Sequence, residues 1–507
     1  MLSIVTALLM LAGCGTGSSN KDLPKEDPLF KAQWHLENTG QTSGAEDGGV
    51  AGEDINVLKV WEEFTGSKEH AIAILDCGID IHPDLKDNLD ISMSYRYMDG
   101  TNDPTPTSDY LPHGTAVAGI VAAKGWNGIG TRGVAPDAKI VSLNVISSFT
   151  EANLIDALSK IDMAISSNSW GFSNNDLNEF ESIVDAMRVG SEQGRDGKGT
   201  IYVFSAGNSR SRSNNSNTNM SSLTNNPYAI TVASVNADGR YASYSNFGSS
   251  VLVSGTGGEY GIDKPAIVTT DLVGLDRGWD RENTHYDVVG NENGDYTNTM
   301  TGTSAACPTV TGVVALMLDA NPDLGWRDVR YILAKSARKN DISDGNWTDN
   351  AAGLPVNYNY GFGVIDAYNA VEMSKAFENL GEQIVSEASR DLNISIPDDG
   401  QTALTSSIEI NDDIAIEHVD LWISIKDNLY GRIGDLEIKL TSPQGTESIL
   451  AWGGVRTFGY YDNWRFGTER HLDESSLGRW KLSVKDINGD SEYTLTGWKL
   501  KIYGHTP

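Results

Sequence analysis

Apolar residues follow two rhythms along this chain. In the long N-terminal part, short unbroken apolar runs such as Ala71-Ile72-Ala73-Ile74-Leu75 and Ile201-Tyr202-Val203-Phe204 are separated by polar loops and by stretches of small residues. That pattern predicts parallel strands buried on both faces, with helices covering them. Val141 to Val145 and Ile161 to Ile165 read as further core elements around a helix. The run from His113 to Ala123 predicts a helix of small residues able to approach a sheet closely, and Val310 to Leu318 predicts a buried helix beginning near Ser304. Beyond Ser389 the period changes to two. Val419, Leu421, Ile423 and Ile425 alternate with other residues, as do Leu436, Ile438 and Leu440, then Trp480, Leu482 and Val484, then Trp498, Leu500 and Ile502, with turn clusters such as Asn488-Gly489-Asp490 between them. An all-β sandwich is expected there. The acidic, helix-like stretch from Glu372 to Ser389 reads as a linker.

The candidate chemistry lies where these elements end. Asp76 follows the first apolar run, and a carboxylate past the C-terminal end of a parallel strand stands where open α/β sheets collect their active groups. Ser304 lies in Gly302-Thr303-Ser304-Ala305-Ala306-Cys307-Pro308, between a glycine and an apolar helix. Unpaired N–H groups and the positive end of the dipole favour developing negative charge there, although a lone serine before a helix is as readily an N-cap. His113-Gly114-Thr115 lies between the two. Asp, His and Ser in that order form one of the convergent orders of the serine-hydrolase triad.

With Asp76-Cys77-Gly78, His113-Gly114-Thr115 and Gly302-Thr303-Ser304 together, the chain resembles the subtilisin-like serine proteases. The resemblance implies a subtilisin-like parallel sheet flanked by helices and an acyl-enzyme mechanism. Ser304 would be the nucleophile, His113 the general base and Asp76 the group that holds the imidazole. It also gives Asn208, in Ser205-Ala206-Gly207-Asn208, the role of donating to the oxyanion beside the backbone N–H of Ser304. Ser167-Asn168-Ser169-Trp170-Gly171 resembles the edge strand that pairs with substrate, so Ser169, Trp170 and Gly171 are expected to bind the peptide.

Asp27-Pro28-Leu29-Phe30 through Gln33-Trp34-His35-Leu36 resembles the entry to the catalytic domain of the kexin and furin-like convertases. By that resemblance a structural calcium is held by Asp27, Asp84 and Asn127 and by the carbonyls of Lys124, Ile129 and Thr131, hard oxygen donors of the kind calcium prefers. An Asn-Gly turn with two solvated acids is the simpler alternative. Gly434-Asp435-Leu436, Leu440-Thr441-Ser442-Pro443-Gln444-Gly445-Thr446 and Gly497-Trp498-Lys499-Leu500 resemble the convertase P domain, a jelly-roll-like sandwich. Convertases line the substrate pocket and a second calcium with acids where this chain has Asn174, Asn214 and Asn246. Where they have acids beside the catalytic Asp and His, this chain has Cys77 and Tyr110. Strict dibasic recognition is therefore not expected, and Asp176 or Asp109 is left as a source of preference for basic residues. Cys77 and Cys307 read as small buried hydrophobes rather than reactive thiols. Ser209 to Asn226, nearly all Ser, Asn, Thr and Arg, reads as an exposed loop.

Composition narrows the partners. Of 507 residues, 69 are acidic and 38 basic, a formal charge of −31 that repels phosphate backbones and excludes nucleic acid as an expected ligand. Three cysteines are too few for a disulfide framework. Leu11-Ala12-Gly13-Cys14 resembles the lipobox of bacterial lipoproteins, with Cys14 as the lipidated residue and a polar tether after it, although no Lys or Arg precedes the apolar run. The absence of Asp after Cys14 then points to the outer membrane, and a plain secretory signal remains the rival. The expected organisation is a signal at 1–14, a tether at 15–26, a catalytic domain at 27–375, a linker at 376–389 and a P domain at 390–507. No room is left before Asp27 for a folded propeptide, so a separately encoded folding chaperone is expected. A catalytically silent, lipid-anchored binding protein on a protease fold is the alternative from another class.

Overall fold

The run Ala71–Asp76 forms strand β1, and every one of its side chains is buried, because parallel neighbours flank it on both sides and helices cover both faces. The computed structural model describes residues 26–507, apart from 173–176, 178, 211–216, 261, 280–290, 292, 428–431, 455–458 and 490–491. Cys14, Asn174, Asp176 and Asn214 therefore lie outside the described residues.

Chain order continues with β2 (Tyr95–Arg96), α1 (His113–Ala122), β3 (Lys139–Asn144), α2 (Glu151–Leu158), β4 (Ile165–Asn168), α3 (Glu181–Gln193), β5 (Ile201–Ser205), β6 (Ala229–Val235) and β7 (Val253–Thr256). The described residues of these strands make one seven-stranded sheet in the order β2-β3-β1-β4-β5-β6-β7, parallel at each pairing. The chain runs outward from β1 to one side and then to the other, so a crevice opens at the C-terminal ends of β1 and β4. A two-stranded antiparallel pair, β8 (Ile267–Thr270) and β9 (Tyr296–Met300), leads into helices α4 (Thr303–Ala320) and α5 (Trp326–Ser336). Helix α4 is long and apolar enough to cross a membrane by composition, but 83% of that window is buried, which makes it the core helix of the domain. The short hairpin β10 (Thr348–Asp349) with β11 (Pro355–Val356) and helix α6 (Ala367–Lys375) close this half.

The C-terminal domain is the expected sandwich. Strands β12 (Ile384–Ser395), β13 (Leu404–Ile410), β14 (Ala415–Asp427), β15 (Leu436–Thr441), β16 (Glu447–Ala451), β17 (Tyr461–Thr468), β18 (Gly478–Asp486) and β19 (Tyr493–His505) form two antiparallel sheets, β12-β19-β14-β17 and β13-β18-β15-β16. The alternating residues named above meet in one core, with Trp480, Leu482, Leu500 and Ile502 fully buried.

Three expectations are corrected. The linker at 376–389 is too long, because residues from Ile384 onward already belong to β12. That strand pairs with β19 but is largely solvent-exposed, so its sequence carries no buried alternation to read. Ile161 is 49% exposed in a turn before β4, not part of a core element. Most consequential, residues 217–226 are not an exposed loop: Thr218, Asn219, Met220, Ser222, Leu223, Asn225 and Asn226 are all buried.

They are buried against the sandwich. Asn219 Oδ1 accepts the Gly467 N–H at 2.8 Å, Asn225 Nδ2 donates to the Arg465 carbonyl at 2.7 Å, and the Trp464 indole N–H donates to the Asn219 carbonyl at 3.2 Å. Beside this seam α5 contributes charge. Arg327 pairs with Glu417, Lys335 with Asp473 at 2.6 Å, and Arg330 with Glu469 at 2.8 Å. The last pair joins a buried network in which His418 Nδ1 meets Glu469 at 2.9 Å and Nε2 meets Asp420 at 2.9 Å. Each ring nitrogen faces a carboxylate, so each must donate and the ring is an imidazolium. Burial opposes that charge, yet the two acids outweigh it and hold the pKa up at about 9.

Candidate functional site

Strand β1 delivers Asp76 to the crevice, where it is 3% exposed. Its Oδ1 accepts the Cys77 backbone N–H at 2.8 Å, which fixes the carboxylate relative to its own strand. His113 is the first residue of α1, and its Nδ1 lies 2.9 Å and 2.8 Å from the two Asp76 oxygens. This geometry makes Nδ1 the protonated nitrogen and leaves Nε2 unprotonated in the neutral ring. Helix α1 can start this close only because Gly114 has no side chain: a Cβ there would sit 2.3 Å from the Gly78 carbonyl. The Cys77 thiol adds a second tie, donating to the Leu111 carbonyl at 3.3 Å and accepting the Gly114 N–H at 3.4 Å. Burial and then the neighbouring Asp76 charge push its pKa well up, so Cys77 is not a reactive thiolate. Cys307, fully buried, is pushed up to about 11 by burial as well. For His113, burial opposes protonation, but the charge and hydrogen bond of Asp76 prevail and its pKa is raised.

Ser304 sits in the first turn of α4, behind Gly302 at φ +106, a conformation that side chains rarely adopt. Among the described residues nothing accepts the Ser304 backbone N–H. Asn208 follows β5. Its Oδ1 accepts both the Thr303 N–H and the Thr303 hydroxyl at 2.9 Å, and Gly207 N–H donates to that same hydroxyl at 3.1 Å. With its oxygen engaged, the amide can only turn Nδ2 outward, toward the Gly302 and Ser304 turn. Asn246 braces this loop: Nδ2 donates to the Ala206 carbonyl and Oδ1 accepts the Ser209 N–H.

The hydroxyl of Ser304 donates to the Ser169 carbonyl at 3.2 Å, and no Ser304 to His113 hydrogen bond is made among the described residues. Ser169 Oγ in turn donates to the Ser304 carbonyl at 2.9 Å, an acceptor left over because Pro308, four residues on, has no N–H to give it. These two bonds hold Ser169 beside Ser304, and one expectation is corrected. Ser167 and Asn168 are not at an edge, since β4 lies between β1 and β5; only the chain past Asn168 is free of sheet neighbours. Trp170 packs edge-on against Phe149 and Phe204, and among the described residues Gly171 has no atom within 4 Å of where a Cβ would stand. Asp109 is corrected too. Arg277 binds it at 2.6 Å and binds Asp80 at 2.9 Å, so its charge is already paired.

The expected calcium residues come together around the turn at 124–131. Asp84 is fully buried, its Oδ1 accepting Asn127 Nδ2 at 2.7 Å and its Oδ2 the Thr131 N–H at 3.0 Å, yet burial outweighs these bonds and pushes its pKa to about 7. Among the described residues no donor reaches the carbonyls of Lys124, Ile129 and Thr131. A buried acid with only neutral partners beside three open carbonyls is a donor set that suits a hard cation. Asp27 does not fit in the same way. Arg132 Nε and Nη2 donate to its Oδ2 at 2.9 and 2.8 Å, and the N–H groups of Trp126, Asn127 and Gly128 fill the rest, so it braces the turn. Among the described residues no cluster of three or more His, Cys, Asp or Glu could hold a metal, so a cation here depends on carbonyl oxygens.

Sequence reasoning passed over Thr303 as the clamp on Asn208, and it passed over Tyr244, whose hydroxyl accepts the Gly302 N–H at 2.8 Å from 58 positions away. Neither sits in a motif that marks its role.

The fold and the crevice are those of a serine protease, and the chain belongs to the subtilase family: that family's sequence model matches residues 67–363. The model of the proprotein convertase P-domain matches residues 416–502. The protein is accordingly a subtilisin-like serine endopeptidase carrying a P domain. Among its relatives, an Aeromonas sobria extracellular serine protease is 33% identical over 97% of this chain and 93% of its own. Kexin of Saccharomyces cerevisiae is 34% identical over 95% of this chain and 56% of its own, and mouse neuroendocrine convertase 2 is 33% identical over 95% and 75%. The crystal structure of the Aeromonas sobria serine protease in complex with its chaperone ORF2 superimposes with a TM-score of 0.87 at 29% identity, covering 97% of both chains.

Proposed function

We propose that peptide bonds are hydrolysed here through Ser304, His113 and Asp76. Ser304 turns about its Cα–Cβ bond from the Ser169 carbonyl to His113 Nε2, gives up its proton and attacks the substrate carbonyl. Asp76 holds the imidazole in the tautomer that can accept at Nε2 and stabilises the cation that forms. The tetrahedral oxyanion is received by the Ser304 N–H and Asn208 Nδ2; collapse expels the amine with the proton from His113, and water resolves the acyl-enzyme by the same steps. The observation that carries this reading is the two-point contact of His113 Nδ1 with Asp76 at 2.8 and 2.9 Å. Labelling by a fluorophosphonate that disappears in Ser304→Ala tests it; labelling that survives the substitution refutes it.

Peptide substrate is taken up along Ser169, Trp170 and Gly171, where backbone pairing is indifferent to sequence. A preference for basic residues before the cut now rests on Asp176 alone, because Arg277 already pairs with Asp109. Digestion of a mixed peptide library reads that preference directly. When bound, calcium at Asp84, Asn127 and the carbonyls of Lys124, Ile129 and Thr131 neutralises the buried acid and stiffens the turn, and it takes no part in the reaction. Chelation should lower the melting temperature. A separately encoded chaperone is supported by the ORF2 complex of the Aeromonas protease, and an extracytoplasmic location by that relative's description as extracellular. Anchoring through a lipid on Cys14 is the form of that location the lipobox-like residues suggest, and fatty-acid labelling of the mature protein decides it.

A further inference from the structure

The loop between β6 and β7 carries a tyrosine with no solvent contact. Tyr244 is 0% exposed, and its hydroxyl meets four groups from three separate segments. It accepts the Gly302 N–H at 2.8 Å, lies 3.0 Å from Ser234 Oγ on β6, and has the carbonyls of Gly257 and Gly258, just past β7, at 2.9 and 2.7 Å. A phenol has one proton. It therefore donates to one of the two carbonyls and accepts from Gly302 and from Ser234, which leaves the buried oxygen fully used.

Gly302 is the residue whose placement matters most. It holds φ +106 and ψ 166 immediately before α4, and its own carbonyl accepts the N–H groups of Ala305 and Ala306, so its conformation sets where the helix begins. The turn is also pressed against the chain beyond β7, since a Cβ on Gly257 would come within 2.5 Å of the Gly302 carbonyl. The peptide unit preceding Gly302 has no other hydrogen-bond partner for its N–H among the described residues. Rotation of that unit would swing both the Ser304 hydroxyl and the Ser304 N–H, along with Thr303, which clamps Asn208.

We propose that Tyr244 is a positioning residue for the reaction, its hydroxyl holding the Gly302 peptide so that the Ser304 N–H and Asn208 Nδ2 converge on the oxyanion. The proposal rests on Ser304 as the nucleophile. Its contribution belongs to the transition state more than to the bound substrate, because the ground-state carbonyl makes weaker use of those donors than the oxyanion does.

The test is Tyr244→Phe, which removes one oxygen and keeps the ring, compared with Tyr260→Phe, the partly exposed neighbour that packs edge-on against it. Rates are expressed per active site titrated with a fluorophosphonate. Loss of a buried hydrogen bond of this kind should cut kcat roughly tenfold and weaken inhibition by a peptidyl boronic acid by a similar factor. KM and inhibition by the matching peptide carboxylic acid should stay within about twofold, and Tyr260→Phe should behave as wild type. Equal weakening of boronic and carboxylic inhibitors, or unchanged kcat, overturns the proposal. If Tyr244→Phe does not fold, Ser234→Ala removes one partner of the phenol and carries the same test at smaller size, with equal inhibitor effects again the overturning result. Wild-type protein that never labels sinks the nucleophile and this proposal together. Labelling lost in Ser304→Ala, with boronate affinity intact in the tyrosine variant, sinks this proposal alone.

Discussion

Residues 302–308 and residues 217–226 use much the same vocabulary of small and polar side chains, and both end up buried or nearly so. They differ in what completes them. The first takes its backbone course from its neighbours in sequence: the glycine supplies the positive φ and the apolar run behind it the helix, while Tyr244 and Asn208 then fix the turn through the Gly302 and Thr303 N–H groups. The second is completed from roughly 240 residues away, where β17 presents the Gly467 N–H to Asn219 and the Arg465 carbonyl to Asn225. A polar residue that meets water and one that meets a distant peptide group look alike in composition. Only the second is costly to remove from the folded chain.

This contrast predicts that substitutions on the two sides fail in different ways. The largest effect belongs to the catalytic side. Asp76→Asn replaces an acceptor with an amide that favours the wrong tautomer of His113, and kcat should fall about ten-thousandfold. Thermal melting should change little. A melting temperature that falls along with the rate would erase the distinction, because Asp76 would then be holding the fold together as Asn219 does.

How much was legible follows the same line. Strand β1 and helices α1 and α4 were readable because their apolar runs are local and continuous, and the sandwich core was readable because Val419, Leu421 and Ile423 alternate. Asp76, His113 and Asn208 could be found because each follows or opens such an element. Tyr244 and Thr303 could not, since a buried phenol reveals its partner only after β6, β7 and α4 have been brought together. The first six residues of β12, 384–389, read as linker for the opposite reason: an edge strand open to solvent has little buried face to imprint on its sequence. The charge already paired with Asp109 was hidden because Arg277 arrives from 168 positions away.

The seam between the two domains carries a pH dependence of its own. His418 sits between Glu469, which Arg330 also binds, and Asp420, which accepts the Tyr503 hydroxyl at 3.1 Å. Its pKa rises from 6.5 to about 9 on folding, so the charged ring stabilises the native state in full below about pH 6.5, and that contribution is lost as the pH climbs through 9. The shift corresponds to about 3 kcal/mol at most. Melting temperature measured between pH 6 and 10 should fall in wild type and fall less steeply in His418→Gln. Parallel curves would remove the histidine from the account and leave the seam to its backbone pairing.

Asn219→Ala gives the smallest and most specific change. It strips the acceptor from the Gly467 N–H and the donor from Ser249 Oγ, both inside the interface. An orphaned buried N–H costs about 1 to 3 kcal/mol, so the variant should melt several degrees lower. Because its side-chain partners, Gly467 and Ser249, make no contact with the proposed catalytic groups among the described residues, kcat per titrated site should match wild type. The two readouts separate the two kinds of polar stretch: a stability loss without a rate loss marks 217–226 as a docking surface within the fold. A rate loss of the same size as the stability loss would mean that the P domain reaches the oxyanion donors through this loop, and that the two regions compared here act as one.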